Sequence, residues 1–354
     1  MGVRECSVDK LKENDVLATD VELSDYTLLL SAGTRLKRNL IEMLVSRGIT
    51  SVKIQEGETA GLQEQAILKI EVQQKFTNQI RDIIEKHTYS HNAELKELVD
   101  QADELISGIM SEEDVMERVY DIRERTTDVY EHSVNVLSLS TLIGIRMGLT
   151  REQMHDIGVG ALLHDLGLRY VGVEYQERYL DDMTALEKDE YKKHPLVAYQ
   201  ALKDETWLSE GSKQVILRHH ERCDGSGFPS AAREVPFECS IVQVCDAFDE
   251  LLCGICCRHE KIYEAIDYMK VNSVRKFDPR VVDVFLQFTA VYPVGTYVRL
   301  NTGEVAVVLH QNPGKPDRPI IRMVTDSSGK TITDEVRDMS KIRTIYIDDV
   351  EIPV

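Results

Sequence analysis

A chain of 354 residues with 42 Lys and Arg against 61 Asp and Glu carries a formal net charge of −19 and a pI near 5.0. That length holds two or three domains, each with its own core, and the acidity excludes a protein that tracks long nucleic acid, which needs a basic surface. Seven cysteines without an evenly spaced framework, no secretory signal, no apolar run near the ~18–20 residues of a membrane helix and a Cys6 that breaks the myristoylation pattern lead us to expect a soluble cytoplasmic protein with reduced thiols.

Residues 1–60 read as a small α+β domain. Val16–Val21, Tyr26–Leu30 and Ser51–Ile54 are short β-prone runs, and Lys37–Gly48 carries Leu40, Ile41, Leu44 and Val45 at helical spacing before a C-capping glycine. Residues 61–110 read as a charged helical linker with Phe76, Ile80, Ile83 and Ile84 on one stripe, suited to connecting or dimerising. His87 and His91 in that region stand four apart but lack the acid and third ligand of a zinc motif. From 111 to 290 the chain reads as consecutive helices. One is expected to open at Ser111 with Asp114 as a capping-box acid and to run through Val115, Val119, Ile122 and Val129, so that Asp128 and His132, four apart, share a side. Another starts at Thr150 with Gln153 and ends at His164-Asp165-Leu166-Gly167. A third opens at Thr184 with Glu187 and has His194-Pro195 in its course. Ile241–Leu252 is an apolar helix bearing Asp246 and Asp249. From Tyr292 the period changes, and residues 291–354 read as a small all-β domain with strands over Gly295–Leu300, Val305–His310, Ile320–Val324 and Ile342–Ile347. The fold class is therefore multidomain and mainly α, with a central all-α domain between two small terminal domains.

Chemistry concentrates in the centre. The stretch Val215–Pro229, VILRHHERCDGSGFP, brings His219 and His220 to the end of a helix, where the last turn lets both aim at one point. An apolar helix ending in His-Asp is equally unusual, because buried ionisable groups are costly unless paired or metal-bound. The inward candidates are His132, His164, Asp165, His194, His219, His220 and Asp246. Imidazoles and carboxylates without thiolates suit Mn, Fe, Zn or Ni rather than a structural zinc site. Seven ligands are too many for one ion with an open position and fit two, with Asp165 bridging. Such a site polarises a phosphoryl oxygen and generates a bridging hydroxide at neutral pH, the logic of phosphoester hydrolysis.

Over roughly residues 112–288 the sequence resembles the HD-GYP family of metal-dependent cyclic-dinucleotide phosphodiesterases. The likeness rests on His164-Asp165-Leu166-Gly167, His194-Pro195, HHERCDGSGFP (219–229) and VCDAFDELL (244–252). It implies an all-α HD-type domain that hydrolyses cyclic di-GMP to linear pGpG or GMP, using two or three divalent transition-metal ions, with Fe or Mn the expected metals. It implies metal ligation by His132, His164, Asp165, His194, His219, His220 and Asp246, with His164 and Asp165 catalytic, and assigns Asp128 to a third metal that some members hold. Phe228, Gly227, Pro229 and Arg258 are the implied substrate contacts.

The departures from the family pattern fall in the substrate shell. The usual phosphate-binding Lys is Leu168, the signature Tyr is Phe228, and the Arg-Pro-Tyr-Arg-like stretch reads Ile255-Cys256-Cys257-Arg258. Each missing cation removes a charge-assisted hydrogen bond of about 1.5–3 kcal/mol, and Arg169 is one candidate substitute. The expected function is therefore a cyclic-dinucleotide phosphodiesterase. The alternatives are a weak or inactive cyclic-dinucleotide sensor or scaffold, and an enzyme for another phosphate substrate. Expected partners are the cyclic dinucleotide, a signalling protein and a second copy through residues 61–110, with no long nucleic acid and no membrane. Asp249 and Glu221 are candidates for orienting a ligand imidazole, and Cys253, Cys256 and Cys257 are expected as reduced, partly buried thiols.

Overall fold

A computed structural model describes residues 2–11, 15, 17–19, 21–22, 28–30, 34, 36, 38–47, 49–56, 66–86, 94–112, 115–122, 125–332 and 335–351. Contacts group the chain into two units, one from residues 1–65, 119–121 and 292–354, the other from 66–118 and 122–291. His87, His91 and Asp114 lie outside the described residues.

In the first unit, β1 (Gly2–Ser7), β2 (Val21–Glu22) and β3 (Leu28–Leu30) precede helix α1 (Arg38–Ser46) and β4 (Ser51–Glu56). β1 pairs antiparallel with β4, from Gly2 opposite Glu56 to Ser7 opposite Ser51, and β2 pairs with β3. The spacing of Leu40, Ile41 and Leu44 folds α1 as expected, and Leu44 is buried with Cys6, Val8, Leu17, Leu36, Val52 and Ile54. Val45 departs from the expected stripe and is 59% exposed. β1 escapes a pattern reading because charges interrupt its apolar residues.

The second unit is helical. α2 (Ile70–Lys86) buries Phe76, Ile80, Ile83 and Ile84, and α3 (Glu97–Met110) buries Leu98, Leu105, Ile106 and Ile109. The stretch expected as a linker thus contributes two packed helices to this body. The helix expected to open at Ser111 is absent: Ser111 is the C-cap of α3, and α4 (Val129–Arg146) begins at the Asp128 cap. Val119, Tyr120 and Ile122 are all buried in a non-helical segment, so their apolar spacing does not mark a helical stripe.

Beyond α4, α5 (Arg151–Leu163) opens with the expected capping box, Gln153 N–H donating to Thr150 Oγ1 at 3.2 Å and Thr150 N–H to Gln153 Oε1 at 3.1 Å. α6 (Ala185–Tyr191) opens with the Thr184/Glu187 box. It stops there, and Pro195 sits in the first turn of a separate helix, α7 (His194–Leu202), where its missing N–H costs nothing. α8 (Glu210–Arg218), α9 (Phe237–Cys253), α10 (Ile262–Asn272) and α11 (Pro279–Phe288) complete the unit. α5 packs on both α4 and α8, and α4 on α9. Gly160 permits the α5–α8 approach, since a Cβ there would stand 2.6 Å from the Val215 side chain. No helix among the described residues is long and apolar enough to cross a membrane.

The C-terminal part is a five-stranded antiparallel sheet of β5 (Tyr297–Leu300), β6 (Val305–His310), β7 (Ile320–Thr325), β8 (Val336–Asp338) and β9 (Ile347–Glu351), in the order β8-β7-β6-β5-β9. Val298, Leu300, Ala306, Val308, Ile321 and Met323 form its core. The strand expected over Ile342–Ile347 starts only at Ile347, and the short β8 goes unsignalled because its residues Val336, Arg337 and Asp338 carry no alternation. The fold is mainly α, with a central helical domain between a small N-terminal helix-and-strand region and a small C-terminal antiparallel sheet.

Candidate metal centre

The side chains singled out in the sequence converge inside the helical unit. His132 comes from the first turns of α4, His164 and Asp165 from the end of α5, and His194 from the start of α7. His219 and His220 follow α8, and Asp246 lies midway along α9. All seven are nearly or fully buried; the Asp165 side chain, at 8% exposure, is the most accessible.

Three of the imidazoles are oriented the same way. The Nδ1 atoms of His164, His194 and His219 face the carbonyls three residues back, Ala161 at 2.7 Å, Tyr191 at 2.8 Å and Ile216 at 2.9 Å. Donation to a carbonyl places the proton on Nδ1 and leaves the Nε2 lone pair pointing inward. His132 is held through Asp249, whose Oδ2 lies 2.9 Å from its Nδ1. Asp249 Oδ1 accepts from Arg125 Nε at 2.9 Å.

The inward atoms form two groups joined by one carboxylate. Asp165 Oδ2 stands 3.7 Å from His132 Nε2 and 3.3 Å from His164 Nε2. Asp165 Oδ1 stands 3.4 Å from His194 Nε2 and 3.8 Å from His219 Nε2. Asp246 Oδ1 joins the first group, 3.3 Å from both His132 and His164, and His220 joins the second. Within each group the facing Nε2 atoms are 3.2 Å apart.

The residues fit divalent cations on two counts. Asp246 Oδ2 is buried with no hydrogen-bond partner, and Oδ1 faces the His132 and His164 imidazoles at 3.3 Å, a costly arrangement unless positive charge occupies the space they face. The His194 and His219 lone pairs also oppose each other at 3.2 Å, which a shared cation relieves. In the metal-free chain, burial opposes charge on His132 and His164, but neighbouring carboxylates outweigh it. Asp246 and Asp249 hold His132 well above its ordinary value, and Asp165 and Asp246 hold His164 up at about 10. Burial depresses the other three, His194, His219 (to about 3) and His220, with neighbouring imidazoles adding to it at His219 and His220. Protons on His132 and His164 thus stand in for a metal's charge.

Asp128 does not join the cluster. Its Oδ1 caps α4, accepting from Tyr130 N at 2.9 Å and Glu131 N at 3.3 Å, and its Oδ2 pairs with Arg81. Both oxygens are engaged, so in this structure Asp128 serves as a helix cap paired with Arg81. Glu221 does not orient an imidazole either. Its carboxylate accepts from Ser230 N and Ala232 N, each at 2.8 Å, and clamps the loop after α8.

A cavity of about 190 Å³ opens beside His220, walled by Tyr191, Phe228, Ile255 and Cys256 with Arg222 and Glu250. The Phe228 ring stacks on His220, centroids 4.5 Å apart. Gly227 brings the loop against the His220 carbonyl, where a Cβ would stand 2.4 Å away, and the Phe228–Pro229 bond is cis. Leu168 is buried at 5% exposure with Met183 and Tyr191 in an apolar cluster that Phe228 and Cys256 join. Arg258 does not line this cavity; its guanidinium lies over the Tyr179 ring. Arg169 donates to the Ile84 carbonyl instead. Tyr191, Glu250 and Arg222, which line this cavity, escaped the sequence reading. Glu250 could have been found as the residue one helical turn after Asp246; for Arg222 no distinguishing signal exists beyond its place after the His-His pair. Cys253, Cys256 and Cys257 are free thiols, and burial pushes the first two up to about 12.

Residues 115–281 match the HD domain family, and residues 297–353 match a KOW domain associated with HD domain. The chain is an HD-domain protein, and that domain implies a divalent metal cofactor. It is 28% identical over 230 residues, 62% of this chain and 54% of the relative, to cyclic di-GMP phosphodiesterase PA4108 of Pseudomonas aeruginosa. It is 33% identical over 153 residues to the cyclic di-GMP phosphodiesterase response regulator RpfG of Xanthomonas campestris pv. campestris, covering 41% of this chain and 39% of that one. The chain thus spans about half the length, or less, of these curated relatives. The fold is shared with Bd1817, an HDG"Y"P protein from Bdellovibrio bacteriovorus, at TM-score 0.52 and 19% identity over 80% of this chain and 98% of that one. The HD-domain match, these relatives and this shared fold together support an HD-GYP family member.

Proposed function

We propose that the protein is a metal-dependent phosphodiesterase acting on a cyclic dinucleotide, with cyclic di-GMP the first substrate to test and linear pGpG or GMP the product. The observation that carries this is the division of Asp165, one oxygen toward His132 and His164 and the other toward His194 and His219. A first centre would be held by His132, His164, Asp165 and Asp246, and a second by His194, His219, His220 and Asp165. Iron or manganese suits this donor set. When bound, divalent ions supply a Lewis acid for the phosphoryl oxygen and lower the pKa of water.

The chain's own residues do the rest. Backbone carbonyls and Asp249 fix the imidazole tautomers, so that the ligand lone pairs are preorganised. Phe228 and Tyr191 offer ring faces beside His220 against which a base can pack. Ile255, 1% exposed, keeps that wall apolar, and Leu168 belongs to the apolar cluster that includes Tyr191 and Phe228. The substitution Asp165→Asn tests the reading: loss of both bound metal and hydrolysis is expected, and a fully active, metal-free variant would sink it.

A second reading, a cyclic-dinucleotide sensor with little turnover, is favoured by one feature. Among the described residues lining the cavity, Arg222 is the one cationic side chain, and its Nη1 is committed to the carbonyls of His219 and Glu221, both at 2.9 Å. Dinucleotide binding to the metal-loaded protein without linear product would establish it. Signalling partners and a homodimer through residues 61–110 remain proposals that co-purification and solution mass would test.

A further inference from the structure

Glu250 follows Asp246 by one turn of α9, so the two carboxylates project from the same face. Its side chain is 14% exposed, with Oε1 3.9 Å from His220 Nε2 and 3.4 Å from the Tyr191 hydroxyl. Asp246 is 1% exposed and its Oδ2 has no hydrogen-bond partner. Its Oδ1 faces the first centre, while Oδ2 lies on the His220 side, 3.6 Å from Nδ1. One donor atom each from His220, Asp246 and Glu250 lies within 4.8 Å of the others.

We propose that His220, Asp246 Oδ2 and Glu250 form a further divalent-cation position on the cavity side of the cluster, supplied by this chain in place of the Asp128 position. The proposal rests on the metal reading above. Two carboxylate oxygens and one imidazole suit a hard to borderline ion such as Mn2+. His220 has one lone pair to give, so its use here leaves the second centre with His194, His219, Asp165 and an open coordination position. The cavity wall presents Glu250 as its carboxylate and Arg222 as its cation, and Arg222 is tied to two carbonyls. A divalent ion held there would add positive charge beside an anionic phosphodiester entering the cavity.

The test is a Mn2+ titration of the full-length, metal-stripped protein, with free Mn2+ followed by electron paramagnetic resonance. The wild type is expected to bind three ions per chain. E250Q should lose the weakest step or weaken it by roughly tenfold or more while keeping the other two, and E250D, which retains the charge, should keep the step at reduced affinity. D128A should bind as the wild type does. A wild-type stoichiometry of two, or identical binding by wild type and E250Q, overturns the proposal with the two-centre reading intact. A wild type that binds no Mn2+ overturns both.

Discussion

Asp249 Oδ2 stands 2.9 Å from His132 Nδ1, and the same carboxylate is held from the other side by Arg125 at 2.9 Å. The Asp249 and Arg125 side chains are 0% and 6% exposed, so the imidazole rests on a buried ion pair rather than on solvent. Asp249→Asn keeps an acceptor but removes the charge. We expect metal affinity to fall by roughly 10–100-fold, the usual cost of losing a partner behind a metal ligand. A stability loss of about 3–5 kcal/mol should accompany it, because Arg125 is left buried and unpaired. Metal titration and chemical denaturation of the same variant measure the two effects separately.

Asp128 predicts the opposite pattern. As the cap of α4 its replacement by alanine should cost about 1 kcal/mol, within the usual 0.5–2 range, and leave metal stoichiometry unchanged. Loss of a bound ion in Asp128→Ala would instead support a ligand role for Asp128.

Gly227→Ala tests the loop that carries Phe228. A Cβ 2.4 Å from the His220 carbonyl and 2.5 Å from the Arg222 nitrogen forces backbone away from backbone, so His220 must shift. We expect weakened metal binding at the His220 side and a lower melting temperature. Unchanged binding would show that the loop yields without moving the histidine.

The metal-free cluster sets a pH dependence with a definite sign. His219 is depressed to about 3 by burial, with His194 and His220 lowered in the same sense. Between that range and the unfolded value near 6.5 the unfolded chain binds more protons, so stability rises with pH. His164 is raised to about 10 by Asp165 and Asp246 against the opposing effect of burial, and His132 is raised likewise. Their contribution is fully present below about 6.5 and is lost as pH climbs toward about 10. The melting temperature of the stripped protein should therefore peak near neutrality and fall on both sides. Divalent metal should flatten the alkaline limb by replacing those protons, with protons released on binding. A stripped protein whose melting temperature keeps rising above pH 8 would contradict this.

How much could be read from the sequence depended on the kind of signal. Thr150 with Gln153 and Thr184 with Glu187 announced their helices because a capping box is local chemistry. Ser111 with Asp114 carried the same signature and failed, because Val119 and Ile122 after it are buried in a non-helical segment. The seven histidines and aspartates that meet around Asp165 stood out because ionisable groups on apolar helices demand an explanation. Residues whose meaning depends on a neighbouring helix were not legible. Asp128 looked like a ligand four residues from His132 until the start of α4 made it a cap. Glu250 and Arg222 acquire interest only when α9 and the loop after α8 enclose one cavity.

The most direct test is to purify the protein under reducing, anaerobic conditions and to measure metal content and cyclic di-GMP turnover on one sample. Two or more divalent ions per chain together with linear product is the predicted result. Turnover by protein free of metal, or a fully loaded protein that neither binds nor cleaves the dinucleotide, would contradict the account.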